Sequence, residues 1–525
     1  MKKTGDIVRI GKNDYTIGER LGGGTEGNVF DFDSSNEKLY NKFVIKLLNE
    51  GKMSNRQRNE TYEHLNWLKG KNTKDNEIIK YVVLPVEILA SDLGYVMRKA
   101  TGYSSLKDYI KVDLDDFDVW YKEKYTLRKR YDIIKSLFRA LYTIHSNGMI
   151  FTDLSPNNIL VNDTKNNIVF IDCDNMRRRT DIYNGILGTP GYMAPEIYKN
   201  ADLSAKKINA GLGKNDEPID PKILSDCGTI TADSDIFSAA IIAFQLLTLQ
   251  HPFIGDIVDQ GTAEDEENAE KCMTDYIFKI GTKNTSTAML TEYFEDVTTQ
   301  EIRDLFYKTF VDGKDKPSLR PTDKDFYEAF ARASDSIVVC PHCKFEQWYK
   351  DSSSRCCDPE CNKEYGTKVI FEIYTKFRDV SRKELINQIG DFPELNVSDV
   401  SNFDFDGVTK DTKFLTSRIV LEPGIEKWLY LRHFESTMER NNKPCMNVKL
   451  LSEDNDYISI SVNSDLIGNP KYSFILDEVK LYKKDGKYEF LEKGKQFTWE
   501  NRLILFGQKK IGNSIMQVYG KFIRG

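Results

Sequence analysis

The first residues in this chain able to do chemistry lie in Leu21-Gly22-Gly23-Gly24-Thr25-Glu26-Gly27-Asn28-Val29-Phe30, where the pattern G-x-G-x-x-G-x-V follows a strand-like run. Glycine at Gly22, Gly24 and Gly27 lets the backbone approach phosphate oxygens with no Cβ in the way. Alone, the pattern also describes an ordinary Gly-rich hairpin. Its spacing to Val44-Ile45-Lys46 favours the phosphate cradle, because an ammonium in an apolar strand is costly unless it meets an anion such as a nucleotide phosphate. A carboxylate on the next helical stretch is then needed to hold Lys46. Glu60 is preferred for that task, with Glu63 as the alternative.

The elements that must position these groups follow from periodicity. Strand-like runs at Tyr15–Arg20, Asn28–Phe32, Lys42–Leu47, Val82–Leu89 and Gly94–Arg98 alternate with one helical stretch, Arg56–Leu68, which predicts a small sheet with one helix over residues 1–99. Residues 100–335 carry helical periodicity at Leu127–Ser146, Ile236–Leu249 and Gln300–Phe310 and read as a larger, mainly helical lobe. Residues 336–366 hold a cysteine cluster. Strand signals then multiply between Val369 and Phe522, so residues 367–525 are expected to form a β-rich, sandwich-like domain. Gly94–Arg98 fits a strand leading into a hinge between two lobes, with Met97 facing a purine pocket.

A run in the helical lobe, His145-Ser146-Asn147-Gly148-Met149-Ile150-Phe151-Thr152-Asp153-Leu154-Ser155-Pro156-Asn157-Asn158-Ile159-Leu160-Val161, resembles the catalytic loop of the protein kinases. Asp153 and Asn158 stand five apart, as that loop requires. Ile168-Val169-Phe170-Ile171-Asp172 places a carboxylate after a short apolar strand, where the family has its metal-binding Asp, and Gly188-Thr189-Pro190-Gly191-Tyr192-Met193-Ala194-Pro195-Glu196 resembles the end of the activation segment. Asp235-Ile236-Phe237-Ser238 is similar to the start of the buried helix beneath the catalytic loop, and Leu319-Arg320-Pro321 to the late Arg that pairs with the Glu of A-P-E, here Glu196. The resemblance, to eukaryotic-like Ser/Thr protein kinases, spans about residues 14–331, and the Lys, Asn and Ile richness suggests a bacterial member.

It implies an α+β, bilobal fold and ATP-dependent transfer of a γ-phosphoryl group to protein hydroxyls. Gly22, Gly24, Gly27 and Val29 would cover ATP, Lys46 would contact its α and β groups, Asn158 and Asp172 would hold Mg²⁺, and Asp153 would accept the substrate hydroxyl proton. Implied partners are a protein substrate and a metal-dependent protein phosphatase. Departures accompany the match. Phe151-Thr152 replaces His-Arg, so no Arg is present there to bind a phosphorylated activation segment, and activity is expected without phosphorylation of Thr180, Tyr183 or Thr189. Ser155 stands where Ser/Thr-directed members carry Lys, and Cys173-Asp174 replaces Phe-Gly. These departures leave a nucleotide-binding scaffold as the alternative. The long stretch Glu196–Asp235 and the acidic stretch Gly255–Lys271 read as surface loops.

Cys340-Pro341-His342-Cys343 and Cys356-Cys357-Asp358-Pro359-Glu360-Cys361 resemble a zinc ribbon, in which four thiolates close a tetrahedral structural site. Cys340, Cys343 and Cys361 are assigned to Zn²⁺; the fourth ligand is Cys357 or Cys356, and Cys357 is favoured. A spare Cys356 would suit a thiol redox sensor instead. No apolar leader follows Met1, and Ile236–Leu249, with Ser238, Gln245 and Thr248 inside it, is too short and polar to span a membrane, so a cytoplasmic, reducing location is expected. With 74 Lys and Arg against 81 Asp and Glu and a net charge of −7, nucleic acid is not an expected partner, which weighs against a nucleic-acid-binding ribbon.

Overall fold

A computed structural model describes residues 2–24, 27–51, 53–111, 117–162, 164–180, 188–199, 230–287, 291, 293–350, 355–365, 368–379, 413–430, 433, 444–451, 457–462, 475–483, 487–490, 495–498, 502–511 and 514–524. The chain divides into two compact units, Met1–Tyr327 and Glu328–Gly525. Tyr183 and most of the stretch between Glu196 and Asp235 lie outside the described residues.

In the first unit, strands β1 (Ile7–Ile10), β2 (Asn13–Gly23), β3 (Gly27–Phe32), β4 (Phe43–Leu48), β5 (Pro85–Ile88) and β6 (Gly94–Arg98) form an antiparallel sheet in the order β1-β2-β3-β4-β6-β5. Side chains alternate faces along each strand. One face carries Ile17, Phe30, Phe32, Ile45, Leu47 and Val96 into a common core. The register sets Lys46 opposite both Val29 on β3 and Tyr95 on β6, which puts these three on the other face. Helix α1 (Asn55–Lys71) starts where Ser54 and Gln57 form a reciprocal capping box, and it buries only Leu65 and Leu68.

Helix α2 (Leu127–Ser146) buries Leu127, Tyr131, Ile134, Phe138, Leu141 and His145, a stripe at three- and four-residue spacing. It packs on α3 (Ala232–Thr248), the apolar run of the sequence, whose side chains are buried from Ser234 to Thr248. A helix buried all round must satisfy its polar residues locally. Ser238 donates to the Tyr192 carbonyl at 2.6 Å, and Tyr192 donates its hydroxyl to Gln245 at 2.9 Å. The fully buried Arg130 donates to the Leu246 carbonyl at 3.1 Å near the C-terminal end of α3, where a cation complements the helix dipole. No helix among the described residues is long and apolar enough to cross a membrane.

Short strands fix the loops between these helices. Strands β7 (Tyr103–Ser105), β9 (Ile159–Asn162) and β10 (Ile168–Phe170) make one small sheet, and β8 (Met149–Ile150) pairs with β11 (Arg177–Arg178). Residues Phe151–Asn158 therefore hang between β8 and β9, and Asp172 follows β10. The stretch Gly255–Lys271, expected as a loop, contains two short helices, Asp256–Asp259 and Ala263–Glu270. Thr262 and Asp265 cap the second reciprocally, and Glu264, Asp265 and Glu266 in its first turn face the positive end of its dipole, which is why an acidic run is helical here.

The first strands of the second unit are the hairpin β12 (Ile337–Val339) and β13 (Glu346–Trp348). Strands β14 (Val369–Asp379), β15 (Lys413–Leu421), β16 (Glu426–Tyr430), β17 (Pro444–Leu450), β18 (Tyr457–Val462), β19 (Ile475–Lys483), β20 (Tyr488–Phe490), β21 (Lys495–Thr498), β22 (Arg502–Ile511) and β23 (Ser514–Arg524) follow. They form two antiparallel sheets, β15-β14-β23-β22-β19-β20 and β16-β17-β18-β21. Val338, Tyr349 and Tyr365 of the cysteine segment share a core with Ile370 and Val420 of the larger sheet, so that segment is built onto the sheet rather than folded apart from it.

Candidate active site and cysteine cluster

The open end of the β2–β3 hairpin carries the glycines. Gly24 N–H donates to the Gly27 carbonyl at 2.9 Å. A Cβ on Gly27 would sit 2.4 Å from the Leu47 carbonyl oxygen, so glycine is demanded there by the neighbouring strand. A Cβ on Gly22 or Gly24 would meet nothing within 4 Å, and that open space is what a phosphate chain under the loop would need.

Lys46 is buried, and its ammonium holds three carboxylate oxygens. It bonds Asp172 Oδ1, and it lies 2.9 Å from Asp174 Oδ1 and 2.7 Å from Oδ2. Glu60 is not among them. It lies on the solvent side of α1, paired with Arg56 at 2.8 Å, and Glu63 is exposed as well, so the expectation of a helix carboxylate at Lys46 is corrected. Helical spacing puts Glu63 opposite the buried Leu65 and Leu68, whereas Glu60 shares the stripe of His64 and Trp67 one turn nearer the helix start, where its carboxylate is spent on Arg56 in solvent. What α1 turns toward the segment after Asp172 is His64, whose Nε2 accepts from Arg177 at 3.0 Å, and Trp67, with Arg178 over its ring at 5.0 Å.

Asp172 has a left-handed backbone, φ 65 and ψ 48, uncommon for a residue other than glycine. Its carboxylate is about one-third exposed beside Lys46. Asn158 donates Nδ2 to the Asp153 carbonyl at 2.9 Å and to Asp153 Oδ2 at 3.0 Å. No protein partner for Asn158 Oδ1 occurs among the described residues, so that oxygen is available as a metal ligand together with Asp172. The donor set, two hard oxygens, is chemically suited to Mg²⁺. Met97 is buried two residues from Tyr95 on β6, hence on the Lys46 face of the sheet.

Asp153 is oriented from both sides. Besides Asn158, Thr189 Oγ1 donates to Asp153 Oδ1 at 2.8 Å. Thr189, whose phosphorylation is not expected to be needed for activity, has its hydroxyl engaged with Asp153. The loop carrying Asp153 is clamped from below by Asp235 of α3, which accepts from Phe151 N at 2.7 Å and Thr152 N at 2.9 Å. That clamp holds Thr152 at φ 72, and Thr152 Oγ1 donates to the Asn175 carbonyl at 2.7 Å, tying this loop to the segment after Asp172. Asp235 also meets His145 Nε2 at 3.0 Å, while Asp323 meets His145 Nδ1 at 2.8 Å. Burial alone would lower the imidazole pKa, but the bonds to the two aspartates outweigh it and raise the pKa to about 9. Ser155 is fully buried, and its hydroxyl has no hydrogen-bond partner among the described residues. Phe151 packs against Phe170 with centroids 4.7 Å apart and the rings tilted by 35°. Arg320 meets Glu196 with two bonds of 2.8 Å, as the sequence pairing expects.

In the second unit the sulfurs of Cys340, Cys343, Cys356 and Cys361 all lie within 4.8 Å of one another. Cys340 and Cys361 are 3.8 Å apart and Cys343 and Cys356 3.5 Å apart. A Zn–S bond of about 2.3 Å in a tetrahedron sets ligand sulfurs about 3.8 Å apart, so this cage fits zinc. The fourth sulfur is Cys356, which corrects the preference for Cys357. Adjacent side chains near the Arg355–Glu364 bridge turn to opposite sides. Cys356 is buried, while Cys357 is half-buried and spends its N–H on Gln347 at 2.8 Å. The assignment of Cys356 to the cage also removes it as a spare thiol.

Residues 15–209 match the protein kinase domain family. Over 241 residues the chain is 24% identical to the serine/threonine-protein kinase nekl-2 of Caenorhabditis elegans, covering 45% of this chain and 58% of that protein. It is 27% identical over 253 residues to calcium-dependent protein kinase 5 of Plasmodium falciparum, covering 46% of this chain and 35% of the relative. A bacterial relative, the serine/threonine-protein kinase PknG of Mycobacterium leprae, is 30% identical over 116 residues, covering 22% of this chain and 14% of its own length. The chain thus spans little more than half of the first of these and less of the others.

Proposed function

We propose that this protein is a protein kinase that uses ATP and Mg²⁺ to phosphorylate serine and threonine hydroxyls of other proteins. The observation that carries the reading is the convergence on one cleft of a Gly-lined hairpin, a buried ammonium and two carboxylates held by different loops. Phosphoryl transfer asks for charge neutralisation and alignment more than for covalent chemistry. Lys46 and the open hairpin would bind the phosphates, and Asn158 Oδ1 with Asp172 would hold Mg²⁺, which supplies neutralisation of charge on the phosphate oxygens when bound. Asp153, aimed by Asn158 and Thr189, would orient the substrate hydroxyl and take its proton. The direct Thr152 bond to the segment after Asp172 supports order in that segment without a phosphate–Arg pair.

The cysteine cage is proposed as a structural zinc ribbon, because four thiolates leave no open position for a substrate. The β-rich remainder is proposed as a regulatory or targeting region. Incubation with γ-labelled ATP, Mg²⁺ and a mixture of protein acceptors, followed by phosphosite mapping, tests the reading. Label on serine and threonine supports it; label on tyrosine alone overturns the hydroxyl assignment, and ATP binding without transfer replaces the enzyme with a nucleotide-binding scaffold.

A further inference from the structure

Asp174 stands where the resemblance places glycine, and it is one of the few buried carboxylates of the first unit. Both of its oxygens accept hydrogen bonds. Oδ1 accepts from Lys46 at 2.9 Å and from the Tyr95 hydroxyl at 2.7 Å, and Oδ2 accepts from Lys46 at 2.7 Å. Tyr95 is directly opposite Lys46 in the β4–β6 register, so one row of the sheet presents a cation and a hydroxyl to the same carboxylate. Burial and the neighbouring Asp174 charge raise the Tyr95 pKa well above its ordinary value, keeping the hydroxyl a neutral donor. The backbone of Asp174 is held too: Arg177 donates to its carbonyl at 2.9 Å, and the Cys173 thiol donates to the Val83 carbonyl at 3.3 Å.

Asp174 is buried under three hydrogen bonds, whereas Asp172, bonded to Lys46 through Oδ1, is about one-third exposed and better placed to reach a metal ion. The helix glutamates that would otherwise hold Lys46 face solvent. We infer that Asp174, braced by Tyr95, is the positioning residue that aligns Lys46 for the nucleotide, replacing a carboxylate on α1. This deepens the reading under Proposed function and rests on it. It has a counter-intuitive consequence: restoring the family's glycine at Asp174 inactivates the protein.

The test compares Asp174→Asn, Asp174→Gly, Asp174→Glu, Tyr95→Phe and the double variant Glu60→Gln/Glu63→Gln in the full chain. Loss of an aligning group that acts in the transition state lowers kcat more than it changes KM, so Asn and Gly at Asp174 are expected to cut kcat roughly 100-fold while KM for ATP moves less than about 3-fold. Asp174→Glu recovers part of the loss, and the double glutamate variant stays within about 2-fold of wild type. Tyr95→Phe, which removes one hydrogen bond and no charge, covers the case in which the Asp174 variants fail to fold; it lowers kcat by about 3- to 10-fold. A second readout needs no turnover: acylation of Lys46 by a small amine-reactive ester, followed by mass spectrometry, should speed up about 5-fold or more once its carboxylate partner is gone. Asp174→Asn keeping more than half of the wild-type kcat and labelling rate, or the glutamate pair losing as much as the Asp174 variants, overturns the inference. If wild type shows no transfer sensitive to Asp153→Asn, the kinase reading fails and the labelling result alone decides the role of Asp174.

Discussion

The carboxylate of Asp153 collects two hydrogen bonds, from Thr189 and Asn158, and those bonds determine where its free lone pairs point. Removing one director without adding a clash should misaim the group: Thr189→Ala is expected to lower kcat about 10-fold with little change in KM for ATP, measured by steady-state transfer to a protein acceptor. Thr180→Ala should leave kcat within about 2-fold, because no phosphate-binding Arg precedes Asp153. A loss at Thr180 equal to that at Thr189 would contradict this division. Lys46, Asp153, Asn158 and Asp172 were legible as candidates because each sits in a short motif whose neighbours in sequence define its surroundings. The partner of Lys46 was not legible, since it depends on which face of α1 packs inward and on a residue 128 positions away. The bond from Thr189 to Asp153 was not legible for the same reason: it crosses 36 positions.

The charged node linking α2, α3 and Asp323 through His145 stands beneath the loop of Asp153. Its histidine pKa is raised to about 9, above the unfolded value of about 6.5, so its stabilisation is fully present below about pH 6.5 and is lost as pH rises through 9. Thermal unfolding between pH 6.5 and 10 should show a decline of up to about 3 kcal/mol in wild type that His145→Gln lacks. Equal pH dependence in both would contradict the node. At the cysteine cage the expected order is set by ligand geometry. Cys356→Ser should abolish stoichiometric zinc and lower the unfolding temperature, as should chelation, while Cys357→Ser should retain zinc, measured by metal analysis. The two short cysteine pairs signalled a metal site on their own, but adjacent cysteines could be told apart only by the bridge at Arg355 that turns one of them inward. Strand periodicity likewise gave the β-rich character of the C-terminal region, whereas the order of ten strands in two sheets depends on pairings that no local pattern encodes.

At the scale of the whole molecule, the chain carries a net charge of −7, and acidic helices decorate the first unit. Sequence-independent nucleic-acid binding draws on phosphate neutralisation by Lys and Arg, so RNA or DNA mobility should be unaffected by the protein at about 50 mM salt; a shift that weakens steeply with salt would contradict this. The contiguous core of Val338, Tyr349, Tyr365, Ile370 and Val420 shows why composition alone did not predict the grouping of cysteine segment and sheet: small segments fold by borrowing apolar surface from a neighbour. The central claim is phosphoryl transfer at the cleft of the first unit. Its most direct test is the rate of γ-phosphoryl transfer from ATP with Mg²⁺ by the full chain, beside Asp153→Asn and Asp172→Asn. Transfer by wild type that falls at least about 100-fold in both variants, with folding and ATP binding by Asp153→Asn retained, is the predicted result. Transfer that persists in both variants, or its absence from a folded, ATP-binding wild-type chain, would contradict the account.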